Sequence, residues 1–313
     1  MMKTVKIHHP YRKEQIIQTP VVLVLGFFDG IHLGHQAVIN EGRKIADERG
    51  LKLALMTFNH HPSIVFKKLQ AEEQKYLASL SQKETKMVDL GVDFLYEVEF
   101  TSAFAKLPPQ DFVDEYIVAL QAQVVVTGFD YTYGPKEIAD IAHLPEYAKG
   151  RFEIVTVDKK EVAGEKVSST RIREMLAQGA MEMANELLGY VYETEGVVIH
   201  GEARGRLLGF PTANVQSKRT VRLPKEAVYV CEIKVAGKWY PAMGSIGHND
   251  TFGDNRELTV EIYILNFKEE IYGEQVSVRW HQMIREQVKF DGAEALIQQL
   301  KEDEETTRLY FEG

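Results

Sequence analysis

Apolar residues in the first half of the chain come in short unbroken runs, separated by longer stretches with helical spacing. Val21–Gly26, Leu51–Phe58, Phe94–Phe100, Val124–Asp130 and Phe152–Asp158 read as strands. Gly34–Arg49, Ser81–Leu90, Pro109–Leu120 and Glu137–Lys149 read as helices. Strands that are apolar on both faces and alternate with helices predict a parallel sheet covered on each side. Right-handed crossovers then make a doubly wound α/β domain. Ligands of such sheets bind beyond the C-terminal ends of the strands, which makes the end of Val21–Gly26 a candidate site.

After Gly179 the pattern changes. A short helix, Met181–Leu188, stops at Gly189, and short strands follow: Glu195–His200, Ala227–Val235, Lys238–Met243, Leu258–Asn266 and Gln275–Trp280. Ala236-Gly237 suits a hairpin turn between the second and third of these. Strands without intervening helices predict a small antiparallel barrel. A last helix is expected from Asp291, with Asp291 and Glu294 spaced as a capping box. Leu296, Ile297 and Leu300 form its apolar stripe, and residues 301–305, KEDEE, read as a solvated face. The boundary falls within residues 180–190, dividing the chain into domains 1–185 and 186–313.

Two domains suit a chain of 313 residues, and 44% hydrophobic with 27% charged residues is ordinary globular composition. The net charge of −9 argues against a nucleic-acid surface. One cysteine, Cys231, excludes an intrachain disulfide and fits the cytoplasm. The N-terminal stretch MMKTVKIHHPYRKEQ lacks the apolar core of a signal peptide, and Val21–Phe28 is too short to cross a bilayer.

In GFFDGIHLGH, Gly26 and Gly30 permit a tight passage from strand to helix. The helix beyond it aims free N–H groups and its positive dipole end at that passage, which suits phosphate. His32 and His35, at i and i+3, could donate to phosphate oxygens; a metal pair or two surface imidazoles are the alternatives. In SSTRIR, Ser168, Ser169 and Thr170 can cap a helix or bind phosphate, and Arg171 and Arg173 suit a leaving pyrophosphate. An ordinary capped helix with exposed arginines is the competing reading.

GEARGRLLGFPTAN, at Gly201–Asn214, places Gly201, Gly205 and Gly209 where backbone could fold over a nucleotide. Thr212 and Asn214, at i and i+2, can offer oxygens to one Mg²⁺, or simply close a polar loop. Glu261 lies in mid-strand with Thr259 and Tyr263, opposite Val260, Ile262 and Ile264. It is either a solvated surface carboxylate or a base placed in a pocket.

GFFDGIHLGH, MTFNHHPSIVF (Met56–Phe66), TGFDYTYG (Thr127–Gly134) and SSTRIR resemble the FMN adenylyltransferase module of bacterial FAD synthetases, in the nucleotidyltransferase superfamily marked by HxGH. The resemblance implies ATP at Gly26, Phe27, Asp29, His32, Gly34, His35, Ser168, Ser169, Thr170 and Arg171, with His32 and His35 catalytic. It implies FMN near the Asn59 and Asp130 loops. GRLLGFPTAN, the strand with Glu261, and IREQVKF (Ile284–Phe290) resemble the riboflavin kinase module, a six-stranded β-barrel. That resemblance implies Mg²⁺ at Thr212 and Asn214, with ATP also at Gly201, Arg206 and Gly209. Glu261 would be the base for the ribityl terminal hydroxyl, and Arg285 would touch flavin or phosphate. Asn59 and His60 stand where the family usually has Asp-Pro, and Tyr263 and Asn266 where it commonly has His and Asp. Asn249-Asp250-Thr251 replaces a basic-Pro-Thr run.

The expected function is therefore phosphorylation of riboflavin to FMN followed by adenylylation of FMN to FAD, with ATP as co-substrate and Mg²⁺ as cofactor. The expected partners are small molecules, with no nucleic acid, no membrane and at most a weak homo-oligomer. Two other readings compete. A class I aminoacyl-tRNA synthetase relative lacks support from the acidic charge. A flavin-binding sensor would need none of the six residues His32, His35, Arg171, Thr212, Asn214 and Glu261 together.

Overall fold

The computed structural model describes residues 2–201, 204–248 and 258–312, and the chain divides into two compact units, 1–168 and 169–313. In the first, β1 (Lys3–Ile7), β2 (Val21–Leu25), β3 (Lys52–Phe58), β4 (Phe94–Val98), β5 (Ala122–Gly128) and β6 (Glu153–Val157) form one sheet. Its order is β1-β4-β3-β2-β5-β6, and every pairing is parallel. The helices are α1 (Leu33–Arg49), α2 (Ser63–Phe66), α3 (Leu80–Asp89), α4 (Pro109–Val113) and α5 (Leu144–Ala148). Both faces of the sheet are covered: Val21, Leu23 and Leu25 belong to one apolar cluster, and Val22 and Val24 to the other. This two-sided burial is why β2 is apolar at every position. From β2 the chain builds outward through β3 and β4 on one side and β5 and β6 on the other. The C-terminal end of β2 is thus the topological switch point where ligands of such sheets bind.

Three local expectations change. β1 was not anticipated, because in KTVKI only Val5 and Ile7 are buried and Lys6 separates them. The helix expected over Glu137–Lys149 shrinks to α5, which has proline in its first turn. The chain just before α5 is occupied by a bridge between Thr132 and Asp140. Pro109–Leu120 begins as α4 and continues as a π turn, Asp114–Val118. A two-residue hairpin, β7 (Glu161–Val162) and β8 (Glu165–Lys166), turns at Ala163 and Gly164, both with positive φ.

The second unit begins with α6 (Ser169–Gln178) and α7 (Met181–Leu188). Gly189, at φ 75°, ends α7 as its C-cap. Then β9 (Tyr192–Ile199), α8 (Arg204–Leu207), β10 (Thr212–Ser217), β11 (Ala227–Val235), β12 (Lys238–His248), β13 (Leu258–Ile264) and β14 (Gln275–Glu286) follow, with α9 (Ala293–Glu312) last. The six strands close into an antiparallel barrel in the order β10-β13-β12-β11-β14-β9. Ala236 and Gly237, at φ 47° and 85°, make the expected β11–β12 turn. Trp280 is fully buried, donates its indole N–H to Thr194 Oγ1 at 2.9 Å and packs edge-on against Tyr229, so it is core.

Here too the structure corrects particulars. Thr212 and Asn214, in no expected strand, lie in strand β10, and β12 and β14 run well past their expected ends. Helix α9 starts at Ala293, after Gly292 at φ 118°, so Asp291 and Glu294 are not N-cap and N3. Within the KEDEE face, Asp303 has no exposed surface at all. The Asn249-Asp250-Thr251 run lies outside the described residues.

Candidate active sites

The passage from β2 to α1 is unusual backbone. Phe28, Gly30 and Ile31 all have positive φ, at 55°, 77° and 39°. Two of these are not glycine, a strain held only where neighbours over-determine the conformation. The passage ends at His32, which is the N-cap of α1: its Nδ1 accepts the His35 backbone N–H at 3.3 Å. The two imidazoles stack, with centroids 3.6 Å apart and planes 14° apart. Gly34 lies beneath them, where a Cβ would crowd the His32 ring at 3.2 Å.

Burial sets the charge of this pair. His32 is 6% exposed, and desolvation lowers its pKa to about 4, with the Lys166 charge acting in the same direction. His35 is also pushed well below the ordinary histidine value, first by burial, then by His32, Lys83 and Lys166. Both rings are neutral at pH 7. Because His32 Nδ1 accepts the capping bond, the proton of that neutral ring sits on Nε2, leaving Nε2–H as a donor. His35 Nδ1 is buried with no hydrogen-bond partner.

The other expected residues of this region take definite places. Asp29 is 3% exposed and its Oδ1 accepts the Leu77 N–H at 2.9 Å, which makes it a brace for the passage. Phe27 meets His61 edge-on at 5.0 Å. Asn59 Oδ1 accepts the Phe100 N–H at 3.0 Å, and Asp130 forms an exposed ion pair with Lys166 at 2.5 Å. Ser168 closes the first unit, while Ser169, Thr170 and Arg171 open α6 in the second.

Sequence reasoning missed a cavity of about 330 Å³ in the first unit. Its aromatic wall includes Phe58, Phe66, Phe100, Phe104, Tyr131 and Tyr133. The wall brings together the chain beside Asn59 and the chain beside Asp130. Tyr133 Oη is buried there without a hydrogen-bond partner. The resemblance pointed to the Asn59 and Asp130 loops, while the cavity itself, closed by Phe100 and Phe104, needs segments far apart along the chain.

In the barrel, β10 and β13 pair antiparallel with Asn214 opposite Glu261. Alternation along β13 buries Val260, Ile262 and Ile264 and leaves Thr259, Glu261 and Tyr263 partly exposed on the other face. Thr212 lies diagonally across and donates its hydroxyl to Glu261 Oε2 at 3.2 Å. Thr212, Asn214 and Glu261 therefore form one cluster. Gly201 touches it closely: a Cβ there would fall 2.1 Å from Asn214 Nδ2. Thr212 also lines a cavity of about 390 Å³ with Arg206, Phe267 and Tyr272. Gly209 is exposed, at φ 87°.

Arg285 is engaged by a carboxylate of α9. Its guanidinium grips buried Asp303 of α9, Nη2 to Oδ2 at 2.7 Å and Nε to Oδ1 at 3.0 Å, and Gln299 adds a bond to the same carboxylate at 3.1 Å. Asp303→Ala would leave the mostly buried guanidinium without its counter-charge. The expected loss is on the order of 3 kcal/mol, read by urea unfolding of the full chain; an unchanged midpoint would show the pair to be dispensable.

Among the described residues no helix is long and apolar enough to cross a membrane. Residues 14–171 match the FAD synthetase family and residues 188–311 the riboflavin kinase family. A bifunctional riboflavin kinase/FMN adenylyltransferase of Listeria monocytogenes is 48% identical over 310 residues, covering 99% of this chain and 98% of the relative. A protein of the same name from Bacillus subtilis is 38% identical over 312 residues, covering 99% and 98%. A crystal structure from Streptococcus pneumoniae, titled a macrolide-efflux protein, superposes with TM-score 0.90 at 38% identity, covering 97% of this chain and 99% of that one. Two matched halves in one chain, and relatives aligned along nearly all of it, leave one conclusion: the chain belongs to the bifunctional riboflavin kinase/FMN adenylyltransferase family.

Proposed function

We propose that the barrel phosphorylates riboflavin through Glu261, and that segment 1–185 adenylylates the resulting FMN through the His32 passage. The Thr212–Asn214–Glu261 cluster carries the first half of this reading. Glu261 accepts the proton of the ribityl terminal hydroxyl as that oxygen attacks the γ-phosphorus of ATP, the bond from that phosphorus to the bridging oxygen breaks and ADP leaves. The Thr212 hydroxyl bond holds the carboxylate in one orientation. The cavity bounded by Arg206, Thr212, Phe267 and Tyr272 is the place for the nucleotide.

The cluster also fits Mg²⁺. Thr212 and Asn214 offer hard oxygen donors from one face of β10, and the missing Cβ of Gly201 makes space for the Asn214 side chain itself. When bound, the ion would neutralise charge on the ATP phosphates. Both donors are neutral, so its anionic ligands would come from the nucleotide.

In the second reaction a phosphate oxygen of FMN attacks the α-phosphorus of ATP, and pyrophosphate leaves. The enzyme needs no nucleophile of its own, only alignment and charge stabilisation. Neutral His32 supplies Nε2–H, and the first amides of α1 supply further donors. The unpartnered His35 Nδ1 suits a ligand contact. Ser168, in the same unit, adds its hydroxyl to the phosphate contacts in this proposal. The aromatic cavity beside the Asn59 and Asp130 loops takes the flavin ring. Asn59 acts through Phe100, which it pins into the cavity wall. The protein works in the cytoplasm on small molecules.

A flavin chromatogram after incubating the pure protein with riboflavin, ATP and Mg²⁺ tests the whole reading. FMN and FAD both form if it holds; bound but unconverted riboflavin would favour a sensor. Phe66, 68% exposed, forms one wall of the aromatic cavity. Phe66→Ala is expected to raise KM for FMN about tenfold, the scale of one lost aromatic contact, and to leave the KM for riboflavin unchanged. Steady-state rates with each flavin separately decide this.

A further inference from the structure

The strained passage that presents His32 is held from beneath by a buried lysine. Lys83, on α3, is 5% exposed. Its Nζ donates to the Phe27 carbonyl at 3.1 Å and lies 4.7 Å from the centroid of the Phe27 ring. The same carbonyl accepts a second bond, from Thr57 Oγ1 at 2.8 Å. Phe27 immediately precedes Phe28, the first residue of positive φ. One end of the passage is therefore fixed through Phe27 by Lys83 and Thr57, and its middle through Asp29 by the Leu77 amide.

Burying an ammonium is costly unless its charge is answered. Asp29 and Glu97, 3% and 5% exposed, act on Lys83 from the passage and from β4. Glu97 is approached in turn by Lys6 of β1 at 3.8 Å. A packing role alone would be served by leucine or methionine without this arrangement of charges. The charge also reaches the site, since Lys83 is one of the groups that disfavour protonation of His35.

We propose that Lys83 is a positioning residue for adenylyl transfer: its ammonium locks the Phe27 carbonyl and thereby holds the strained passage that places His32 and the α1 amides against the phosphates of ATP. The proposal rests on the assignment of the His32 passage to ATP. Burial lowers the Lys83 pKa to about 8, against the opposing pull of Asp29 and Glu97, so its charge can be removed without a mutation.

Three variants of the full chain test this: Lys83→Met, Lys83→Arg and, as a reference, His32→Ala. Riboflavin phosphorylation by the same molecules reports on folding and dose. Lys83→Met is expected to lower kcat for FAD formation about tenfold to hundredfold, the scale of an ångström-sized misplacement, with Lys83→Arg recovering most of it. In the unmodified protein, kcat for FAD formation should decline as pH rises through 8 to 9, and Lys83→Arg should lack that decline. A flat profile from pH 7 to pH 10 in the unmodified protein would overturn the proposal even if neither lysine variant folds, as would a Lys83→Met kcat within twofold. If His32→Ala keeps FAD formation, the assignment of the passage fails first. If His32→Ala loses it and Lys83→Met does not, only the role of Lys83 fails.

Discussion

His32→Ala lowers FAD formation from supplied FMN by about a hundredfold to a thousandfold, the size of losing a preorganised donor to a developing charge. Riboflavin phosphorylation by the same chain stays at its unmodified rate. The effect is large because His32 has two linked tasks. Its Nδ1 caps α1 by accepting the His35 amide, and that bond fixes the proton on Nε2. Alanine removes the cap and the donor together. His32→Asn separates them: an Asn restores the cap but not the donor at the reach of Nε2, and should recover stability and little activity. Rates with FMN and ATP, followed by pyrophosphate release, check both variants; activity within tenfold of normal for His32→Ala would sink the role.

The same residue makes a pH prediction. Folded His32 titrates near pH 4 whereas the unfolded chain titrates near 6.5. Between these values unfolding takes up a proton, so stability is fully present above 6.5 and declines as pH falls toward 4. Thermal unfolding across that window should show a steeper acid loss in the unmodified protein than in His32→Ala.

Glu261→Gln gives the complementary result: riboflavin phosphorylation falls by about a hundredfold to ten-thousandfold, the range for removing a positioned base, while FAD formation from FMN persists. Glutamine keeps an acceptor for the Thr212 hydroxyl and the β13 register opposite Asn214, so the change is confined to basicity. A chromatogram of flavins after riboflavin or FMN is supplied reads both activities at once. Phosphorylation within a few-fold of normal would move the base elsewhere in the barrel.

Much of this was readable before any coordinates. Runs such as VVLVL and LALMTF are apolar on both faces, and only a sheet covered on two sides accommodates them. The glycines and histidines of GFFDGIHLGH stood out by their local chemistry, whereas Thr212, Asn214 and Glu261 were singled out by the resemblance to the riboflavin kinase module. The failures were of another kind. β1 was missed because a partly polar edge strand looks like a loop until a partner is beside it. Asp303 was taken for surface because four charged neighbours surround it in sequence, while its partner Arg285 lies on another element. The bond between Arg285 and that carboxylate joins a strand to the last helix, and no local pattern in either segment announces it.

The sequence by itself determined the two folds and, through the motif resemblance, the order of the two reactions along the chain, because periodicity and motif chemistry are properties of neighbours in the chain. Only the tertiary structure decided which atoms act together. The tautomer of His32, the pairing of Glu261 with Thr212, the aromatic cavity and the buried Lys83 beneath Phe27 all depend on contacts between distant segments. Burial sets the charge states on which their chemistry rests, and burial exists only once those segments have packed.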